Sequence, residues 1–271
     1  ITEIVRQHPE AMKDYHHPAW GTKQPGFFFW EQPLLGYYKT TDPWVLRKHA
    51  EMLADAGVDA VFFDCTNGSL TWQDSYEALL KTWDQAQKDG VNVPKIAFML
   101  PFGPAPHSLV SLRQLYNFEQ VAVGIAQNTS PDRKGHCGAF NVKDAYGRNF
   151  SVRNGFDPRV DGYLYGWNFD EQWERAYELD PELVFVTGWN EFIAGQWLPK
   201  DSWNGDPFSF VDQYNWNCSR DIEPNAGWGD RGDVYYLQLV DKVRKFKGMD
   251  APEKPSAPKT IRIGRADGWN D

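Results

Sequence analysis

Apolar residues in the N-terminal part of the chain follow two alternating spacings. A helical spacing begins after Asp42 and Pro43, which suit the N-cap and first turn of a helix, and it stops at Gly57. A continuous apolar run at 58–63 follows, as in a strand covered on both faces. A second helical pattern and an apolar run at 94–100 repeat this order. The alternation predicts a parallel sheet with right-handed crossovers, either a closed barrel or an open doubly wound sheet.

The predicted connection after the third helix is unusually short. That helix begins at Ser108, and a buried strand is predicted at 121–126, with only Glu119 and Gln120 between the two elements. Helix-to-strand connections normally carry a helix-ending glycine and a short loop. We therefore expect a segment to be missing near 120/121. We expect the same before residue 1, because the chain starts at Ile1 without Met.

The C-terminal half repeats the order of helix and strand. Asn168 is predicted to cap a helix, with Glu171 in the capping-box position three residues later. An apolar strand follows at 183–187, and a last amphipathic helix is predicted to end at Gly248. The C-terminal half thus supplies a further helix, a further buried strand and a terminal helix.

We predict one domain over residues 1–271, because a chain of this length buries a full core as a single unit. The segments 1–26 and 252–271 are polar or rich in Pro and Lys, and we expect them to be peripheral. The stretches 127–167 and 198–232 lack periodicity. Loops of that length are usually functional or poorly ordered.

Composition excludes some classes of partner. The net charge of −9 and a pI near 5.2 argue against nucleic acid and anionic membranes, which need a basic face. No apolar run reaches membrane-spanning length. The aromatic content of 15%, with 13 Trp, suggests flat platforms for sugar rings, although a large aromatic core is the alternative. No motif for a metal or cofactor is present, and we predict neither; the sequence leaves the oligomeric state open.

The strand at 183–187 stops at Gly188 and is followed at once by Trp189, Asn190 and Glu191. Catalytic residues of parallel α/β enzymes sit at the carboxyl ends of strands. Apolar neighbours raise the pKa of a carboxyl group, as an acid/base catalyst requires. Glu191 is therefore the first catalytic candidate, and a structural carboxylate bound by backbone N–H groups is the alternative.

Glycoside hydrolysis uses a carboxylic acid to protonate the leaving oxygen and a second carboxylate to attack or to activate water. Asp64, at the end of the strand at 58–63, is the best visible second carboxylate. It equally suits a turn residue that bonds its own backbone. Predicted sugar-binding residues are amides, aromatics and a histidine, located at strand ends or in the long loops: Asn190, Trp189, Asn67, Gln127, Trp30, Tyr38, Trp167, His136 and Trp197.

Three blocks carry a family resemblance: WVLRKHAEMLADAGVDAVFFDCTNG (44–68), NFDEQWERAYELDPELVFVTGWNEFIAG (168–195), and FVDQYNWNCSRDIEP with GDVYYLQLVDKVRKFKG (210–248). They resemble bacterial hydrolase-like proteins of the glycoside hydrolase family 71/99 and WbsX-like type. The resemblance implies a (β/α)8 TIM-type barrel, a glycosidase that acts on a polysaccharide or complex glycan, and a secreted or periplasmic location.

Two departures limit this resemblance. Family 99 places a second catalytic glutamate three residues after the first, where this chain has Ala194, so only Glu191 maps. About five strands are predicted where the barrel needs eight. The partner of Glu191 is therefore Asp64 or lies in sequence outside this chain. A carbohydrate-binding barrel without activity and a polysaccharide lyase with a Tyr or His base remain the alternatives.

Overall fold

The computed structural model describes residues 1–21, 25–66, 72–99, 120–126, 139–142, 145–198 and 207–249, with the backbone alone at residue 120. Its α-helices in these ranges are α1 (Thr2–Gln7), α2 (Pro43–Asp55), α3 (Gln73–Lys88), α4 (Trp167–Leu179) and α5 (Val234–Phe246). Its strands are β1 (Phe27–Phe29), β2 (Ala60–Asp64), β3 (Lys95–Met99), β4 (Gln120–Val123), β5 (Phe150–Ser151), β6 (Gly155–Phe156), β7 (Leu183–Val186), β8 (Ile193–Trp197) and β9 (Ser209–Phe210). None of these helices has the length and apolar character to cross a bilayer.

The predicted alternation of helix and strand is confirmed from α2 to β3. The Asp42 side chain caps α2 by accepting hydrogen bonds from the backbone N–H groups of Trp44 (2.9 Å) and Val45 (3.3 Å). β2 and β3 pair in parallel, with Asp64 opposite Met99. The end of β2 therefore presents Asp64 at the carboxyl edge of this pair.

Helices α2 and α3 cover one face of the β2–β3 pair. Their buried side chains form a compact cluster: Leu46, Ala50, Leu53, Leu79 and Trp83. Val61 and Phe63 pack against this cluster from β2. The alternate residues Phe62 and Asp64 point to the opposite face, where Phe62 keeps 42% of its surface exposed. The prediction that both faces of this strand are covered is therefore wrong for the described residues.

The second parallel pair consists of β4 and β7, with Val123 opposite Val186. It lies beside the first pair, because the ring of Phe62 on β2 is 5.2 Å from the ring of Phe185 on β7. The described residues thus form an α/β architecture with two parallel pairs, and they contain no closed eight-stranded barrel. The predicted helix at Ser108 lies outside the described residues, so the missing segment near 120/121 stays a prediction.

An antiparallel sheet of β1, β8 and β9 closes over the region that follows β7. Phe28 of β1 lies opposite Ala194 of β8, and the Trp30 N–H donates to the carbonyl of Phe192 at 3.0 Å. Sequence patterns did not predict β8, because its Ile-Ala-Gly-Gln-Trp sequence has little strand character of its own. This sheet holds the segment that follows Glu191 in an extended conformation.

The N-terminal segment contributes to the main core, so the prediction that 1–26 is peripheral is wrong for its described part. Trp20 is 3% exposed and makes edge contacts with Phe28, Phe208 and Phe210 at 5.3 to 5.9 Å. The indole N–H of Trp20 donates to two backbone carbonyls, which satisfies its one polar atom in the core. The segment 252–271 lies outside the described residues.

The predicted capping box of α4 is also wrong. The helix starts one residue before Asn168, with Gly166 as its N-cap at a φ of +68°, and no side-chain cap forms. Asn168 is buried in the first turn. Glu171 accepts from the backbone N–H groups of Val152 (2.6 Å) and Arg153 (3.1 Å), so it holds the turn between β5 and β6 instead.

Candidate active site

Gly188 marks the point where β7 gives way to the predicted catalytic segment. The Thr187 N–H still donates to the Val123 carbonyl at 2.9 Å, which extends the pairing with β4 by one bond. Gly188 has a φ of +90°, and a Cβ at this position would lie 2.1 Å from the carbonyl oxygen of Arg220. Only glycine fits, because both the backbone conformation and the close contact exclude a side chain.

The segment that follows Gly188 runs alongside residues 220–223. The Trp189 carbonyl accepts from the N–H groups of Ile222 (3.2 Å) and Glu223 (2.9 Å). The Glu191 N–H donates to Asp221 Oδ1 at 2.5 Å. The stretch 198–232, predicted as a long loop, therefore supplies the groups that surround Glu191.

Glu191 presents its carboxylate at the surface of this crowded region, with 52% of the side chain exposed. Its Oε2 atom lies 3.4 Å from the Arg220 guanidinium and 3.5 Å from Gln213 Nε2. Burial raises the pKa of Glu191 to about 7, and the charges of Asp212 and, more weakly, Asp64 add to the rise; Arg220 and Gln213 oppose it. Glu191 therefore exchanges its proton near neutral pH.

Asp212 is a carboxylate that sequence patterns did not single out. One nitrogen of Arg220 contacts both Asp212 Oδ1 (3.2 Å) and Glu191 Oε2 (3.4 Å). Asp212 is partly exposed and belongs to the same loop as Arg220. No spacing rule links Asp212 to Glu191, because the loop alone brings them to one guanidinium. The pair gives the site two neighbouring carboxylates with a shared cation.

Asp221 is a buried acid directly behind Glu191. Its Oδ2 accepts from the Trp30 indole at 2.7 Å, while its Oδ1 accepts from the Glu191 N–H. Burial raises the pKa of Asp221 to about 7, and the charge of Glu191 contributes, against the effects of Trp30 and Arg148. With both oxygens occupied inside the protein, Asp221 is a positioning residue that fixes the Glu191 backbone.

Asp64 shares the face of β2 that points toward β7, and its charge raises the pKa of Glu191. Its Oδ1 also accepts from the Thr66 N–H at 2.8 Å, which is the turn interaction considered as the alternative role. The two roles are compatible, because the hydrogen bond from Thr66 leaves the negative charge of the carboxylate in place. Asp64 therefore lies within electrostatic range of Glu191 while it also shapes the end of its own strand.

Tyr38 and Asn190 form a polar chain beside Glu191. The Tyr38 hydroxyl donates to Glu223 Oε2 at 2.6 Å, and Asn190 Nδ2 donates to the Tyr38 oxygen at 3.2 Å. His49 Nε2 lies 3.2 Å from the other oxygen of Glu223, and both side chains are buried. Burial, followed by the charge of Glu223, raises the pKa of Tyr38, so its hydroxyl keeps its proton. Sequence patterns indicated neither Glu223 nor His49.

Of the tryptophans predicted as sugar platforms, Trp30 belongs to the core and Trp189 packs against it. Trp30 is 1% exposed and stacks on Phe192 at 5.3 Å, with the Arg148 guanidinium 5.7 Å from its ring. Trp189 packs against both hydrophobic clusters and meets His49 edge-on at 5.6 Å. The Trp30 ring is covered by protein, so it offers no free face to a ligand, as the aromatic-core alternative stated. Trp189 is partly buried, and its role in sugar binding stays a prediction.

The other two predicted tryptophans lie farther toward the surface. Trp197 ends β8 with 38% of its surface exposed, 6.3 Å from the ring of Phe27. Trp167 is partly buried as the first residue of α4, and Arg159 lies 5.9 Å from its ring. No contact among the described residues joins Trp167 to Glu191. Trp197 thus remains available as a platform, and both assignments stay predictions.

Three predicted binding residues, Asn67, Gln127 and His136, lie outside the described residues. Ala194, which stands where family 99 has its second glutamate, is fully buried between β1 and β9. Within the described ranges, no three His, Cys, Asp or Glu side chains converge as a metal site would require. The described chemistry of the site therefore consists of carboxylates, amides, one arginine, one tyrosine and the buried His49.

The chain is similar to two solved structures of the glycoside hydrolase family 99 endo-α-mannosidase from Bacteroides thetaiotaomicron. The first shares 15% identity over 83% of this chain and 85% of that one, with a TM-score of 0.41. The second, in complex with bis-tris propane, shares 14% identity over 81% and 89%, also with a TM-score of 0.41. No protein-family model and no curated protein matches the chain. Similarity at this level assigns neither a fold nor an activity.

Proposed function

We propose that this protein is a glycoside hydrolase in which Glu191 acts as the acid/base. The observation that carries the proposal is the setting of Glu191 in the segment that follows β7: its side chain is half exposed, its carboxylate lies 3.4 Å from Arg220, and burial among its neighbours raises its pKa to about 7. A group with that pKa is protonated often enough to donate to a leaving oxygen and ionised often enough to act as a base. Its backbone is fixed by Asp221, so the carboxylate has a defined position.

The second carboxylate is Asp64 or Asp212. Both raise the pKa of Glu191, Asp212 more strongly. Asp212 shares the Arg220 guanidinium with Glu191, at 3.2 Å and 3.4 Å respectively, so of the two candidates it is the one that a described contact places beside the Glu191 carboxylate. Asp64 lies at the end of a neighbouring parallel pair, where barrel enzymes place a catalytic partner. The variants Asp64→Asn and Asp212→Asn distinguish the two candidates.

The architecture that accommodates this site is a (β/α)8 barrel, to which we assign both parallel pairs. Support comes from the helices that cover one face of β2 and β3, and from acidic residues that follow β2 and β7 at the same edge. The substrate is a polysaccharide or complex glycan, and the location is secreted or periplasmic. A second candidate function is a carbohydrate-binding barrel without activity, which the buried Ala194 favours.

The test is a screen of neutral and anionic oligosaccharides with wild type and Glu191→Gln, which keeps shape and removes the acid. We expect wild type to release reducing ends and Glu191→Gln to lower kcat by about 10²- to 10⁴-fold. Glu182→Gln is the matched control, because Glu182 is an exposed glutamate that precedes β7 at its other end. Asp64→Asn and Asp212→Asn are assayed in parallel. The one that loses as much activity as Glu191→Gln identifies the second catalytic carboxylate.

Other results of the screen overturn the proposal in distinct ways. Binding without turnover in wild type supports the carbohydrate-binding barrel. Unsaturated products that absorb in the ultraviolet identify a lyase. Equal kcat values for wild type and Glu191→Gln exclude Glu191 as the acid/base, whatever the product.

A further inference from the structure

The polar chain of Glu223, Tyr38 and Asn190 fixes the direction of every hydrogen bond within it. A carboxylate only accepts hydrogen bonds, so the 2.6 Å contact with Glu223 commits the single hydroxyl proton of Tyr38. The Tyr38 oxygen is then an acceptor toward Asn190. Asn190 must therefore turn its NH2 group, and not its carbonyl oxygen, toward Tyr38 at 3.2 Å.

The outer end of this chain consequently has a defined polarity. Because the Asn190 NH2 group faces Tyr38, Asn190 Oδ1 points away from Tyr38 on an exposed residue next to Glu191. No donor to Asn190 Oδ1 is present in the part of the chain that the structure describes. An acceptor in this position binds a group that donates a proton, such as a sugar hydroxyl. It repels sulfate and carboxylate groups, which have only acceptor oxygens at neutral pH.

The inner end of the chain is held rigidly. Glu223 and His49 are 1% and 5% exposed as side chains, with Glu223 Oε1 and His49 Nε2 3.2 Å apart. The His49 ring meets Tyr38 edge-on at 5.5 Å and Trp189 edge-on at 5.6 Å. The Glu223 backbone is tied to the Trp189 carbonyl at 2.9 Å. Burial and the backbone hydrogen bond to Trp189 therefore hold Glu223, the acceptor of the Tyr38 hydroxyl, in place.

The charged side chains around the site, like Asn190 Oδ1, disfavour an anionic sugar. Asp64, Asp212, Asp221 and Glu223 are acidic side chains within reach of Glu191 or Asn190. Arg148 is buried behind Asp221 and His49 is buried against Glu223, so Arg220 is the cation that a described contact places at the accessible side of Glu191. Arg220 is already shared between Asp212 and Glu191. A sulfated or acidic sugar therefore meets net negative charge at this position.

We propose that Glu223 and Tyr38 orient Asn190 as a hydroxyl-binding subsite that selects a neutral sugar beside Glu191 and excludes an anionic one. This inference rests on the proposed function for the identity of the ligand as a glycan. Glu223, Tyr38 and His49 are positioning residues, and Asn190 is the residue that contacts the sugar.

The test measures binding of neutral oligosaccharides and of their monosulfated counterparts, with the sulfate at each hydroxyl in turn, on one glycan array. The readout is the ratio of neutral to sulfated affinity. Wild type binds the neutral members. In Tyr38→Phe and in Glu223→Gln, Asn190 loses its fixed orientation, and the ratio falls by about tenfold, the equivalent of one hydrogen bond. A purely structural defect lowers both affinities together and leaves the ratio unchanged, which overturns the proposal.

Tyr37→Phe is the matched control, because it removes the same atom from the neighbouring tyrosine. Tyr37 is 60% exposed, packs on Phe29 at 4.5 Å, and its hydroxyl makes no hydrogen bond to a described residue. The ratio of neutral to sulfated affinity in Tyr37→Phe stays at the wild-type value. A double variant of Tyr38→Phe and Glu223→Gln has the same ratio as Tyr38→Phe, since Glu223 acts through Tyr38.

Hydrolysis is scored separately, so the two proposals fail independently. If binding is selective for neutral sugars and depends on Tyr38, but no reducing ends are released, the subsite proposal stands and the hydrolase proposal fails. If the protein hydrolyses glycans and the ratio of neutral to sulfated affinity is unchanged in Tyr38→Phe and Glu223→Gln, the hydrolase proposal stands and the subsite proposal fails. Wild type that binds no glycan on the array removes both.

Discussion

At the scale of the residue, Glu191 combines exposure with a strongly perturbed proton affinity. Half of its side chain is accessible, yet burial of the carboxyl group and the nearby Asp212 raise its pKa to about 7. Arg220 and Gln213 act in the opposite direction. The proton affinity of Glu191 is therefore a balance between named neighbours that substitutions can shift in either direction.

The pKa of Glu191 is expected to move in opposite directions in two variants. Asp212→Asn removes a repulsive charge, so the pKa falls; Arg220→Gln removes an attractive charge, so the pKa rises above about 7. The measurement is a carbon NMR titration of side-chain labelled glutamate, with the Glu191 signal assigned from Glu191→Gln. Glu182→Gln leaves the titration unchanged. Movement of both variants in one direction contradicts this account.

The same shift predicts the pH dependence of hydrolysis. Glu191 is protonated below its pKa, so acid catalysis is retained at lower pH and is lost as the pH rises through about 7. The pH at which kcat/KM falls on the alkaline side therefore follows the pKa of Glu191 measured by NMR. In an Asp212→Asn variant that retains activity, this fall moves to lower pH.

At the scale of the element, the end of β7 is defined by one glycine. Gly188 has a positive φ and lies against the backbone of Arg220, which lets residues 189–191 run alongside the loop at 220–223. The strand is thus followed directly by a segment whose backbone bonds to that loop through the Trp189 carbonyl and the Glu191 N–H. The site exists because these two elements approach at backbone distance.

Gly188→Ala is expected to destabilise the protein by more than about 3 kcal/mol, because strain at positive φ adds to a steric clash. Gly90→Ala is the matched control: its φ of +86° is similar to the +90° of Gly188, but no atom lies within 4 Å of its added Cβ. Gly90→Ala therefore costs only about 1–2 kcal/mol. Urea denaturation measures both. Equal losses in the two variants would show that the contact with Arg220 is unimportant.

At the scale of the whole molecule, Arg148 joins distant parts of the chain in the core. It is fully buried, lies 4.3 Å from the ring of Tyr235 on α5, and donates to Ser219 and to the Asp221 carbonyl at 2.7 Å. It also lies 5.7 Å from the ring of Trp30. Arg148 is thus a buried cation that supports the acid behind Glu191.

Arg148→Met is expected to lower the free energy of unfolding by about 3–5 kcal/mol, because it removes buried hydrogen bonds to Ser219 and to the Asp221 carbonyl together with a positive charge near the buried Asp221 carboxyl. Arg175→Met is the control, since Arg175 is 62% exposed and its ion pair among the described residues is with Glu178 at 2.9 Å; its loss is below about 1 kcal/mol. Urea denaturation compares the two. A loss in Arg148→Met no larger than in the control means that Asp221 needs no counter-charge.

Local chemistry made part of this structure predictable. The cap at Asp42, the strands before Asp64 and Glu191, and the placement of both carboxylates at strand ends follow from patterns within short segments. The capping box at Asn168 failed although its residues were suitable, because Gly166 began the helix one residue earlier and Glu171 bound another segment. A local pattern indicates which interaction a residue favours. The partners available in the folded chain determine which interaction forms.

By itself, the sequence determined the order of the elements around β2 and β7 and the delivery of Glu191 at a strand end, since periodicity and caps act over a few residues. Only the tertiary structure decided that Trp30 is a core residue bonded to Asp221, 191 positions away in the chain. It likewise brought Asp212, Arg220 and Glu223 to the site from an aperiodic loop. A sequence pattern reports the face on which a side chain lies, whereas the pKa of Glu191 depends on which distant charges fold against that face.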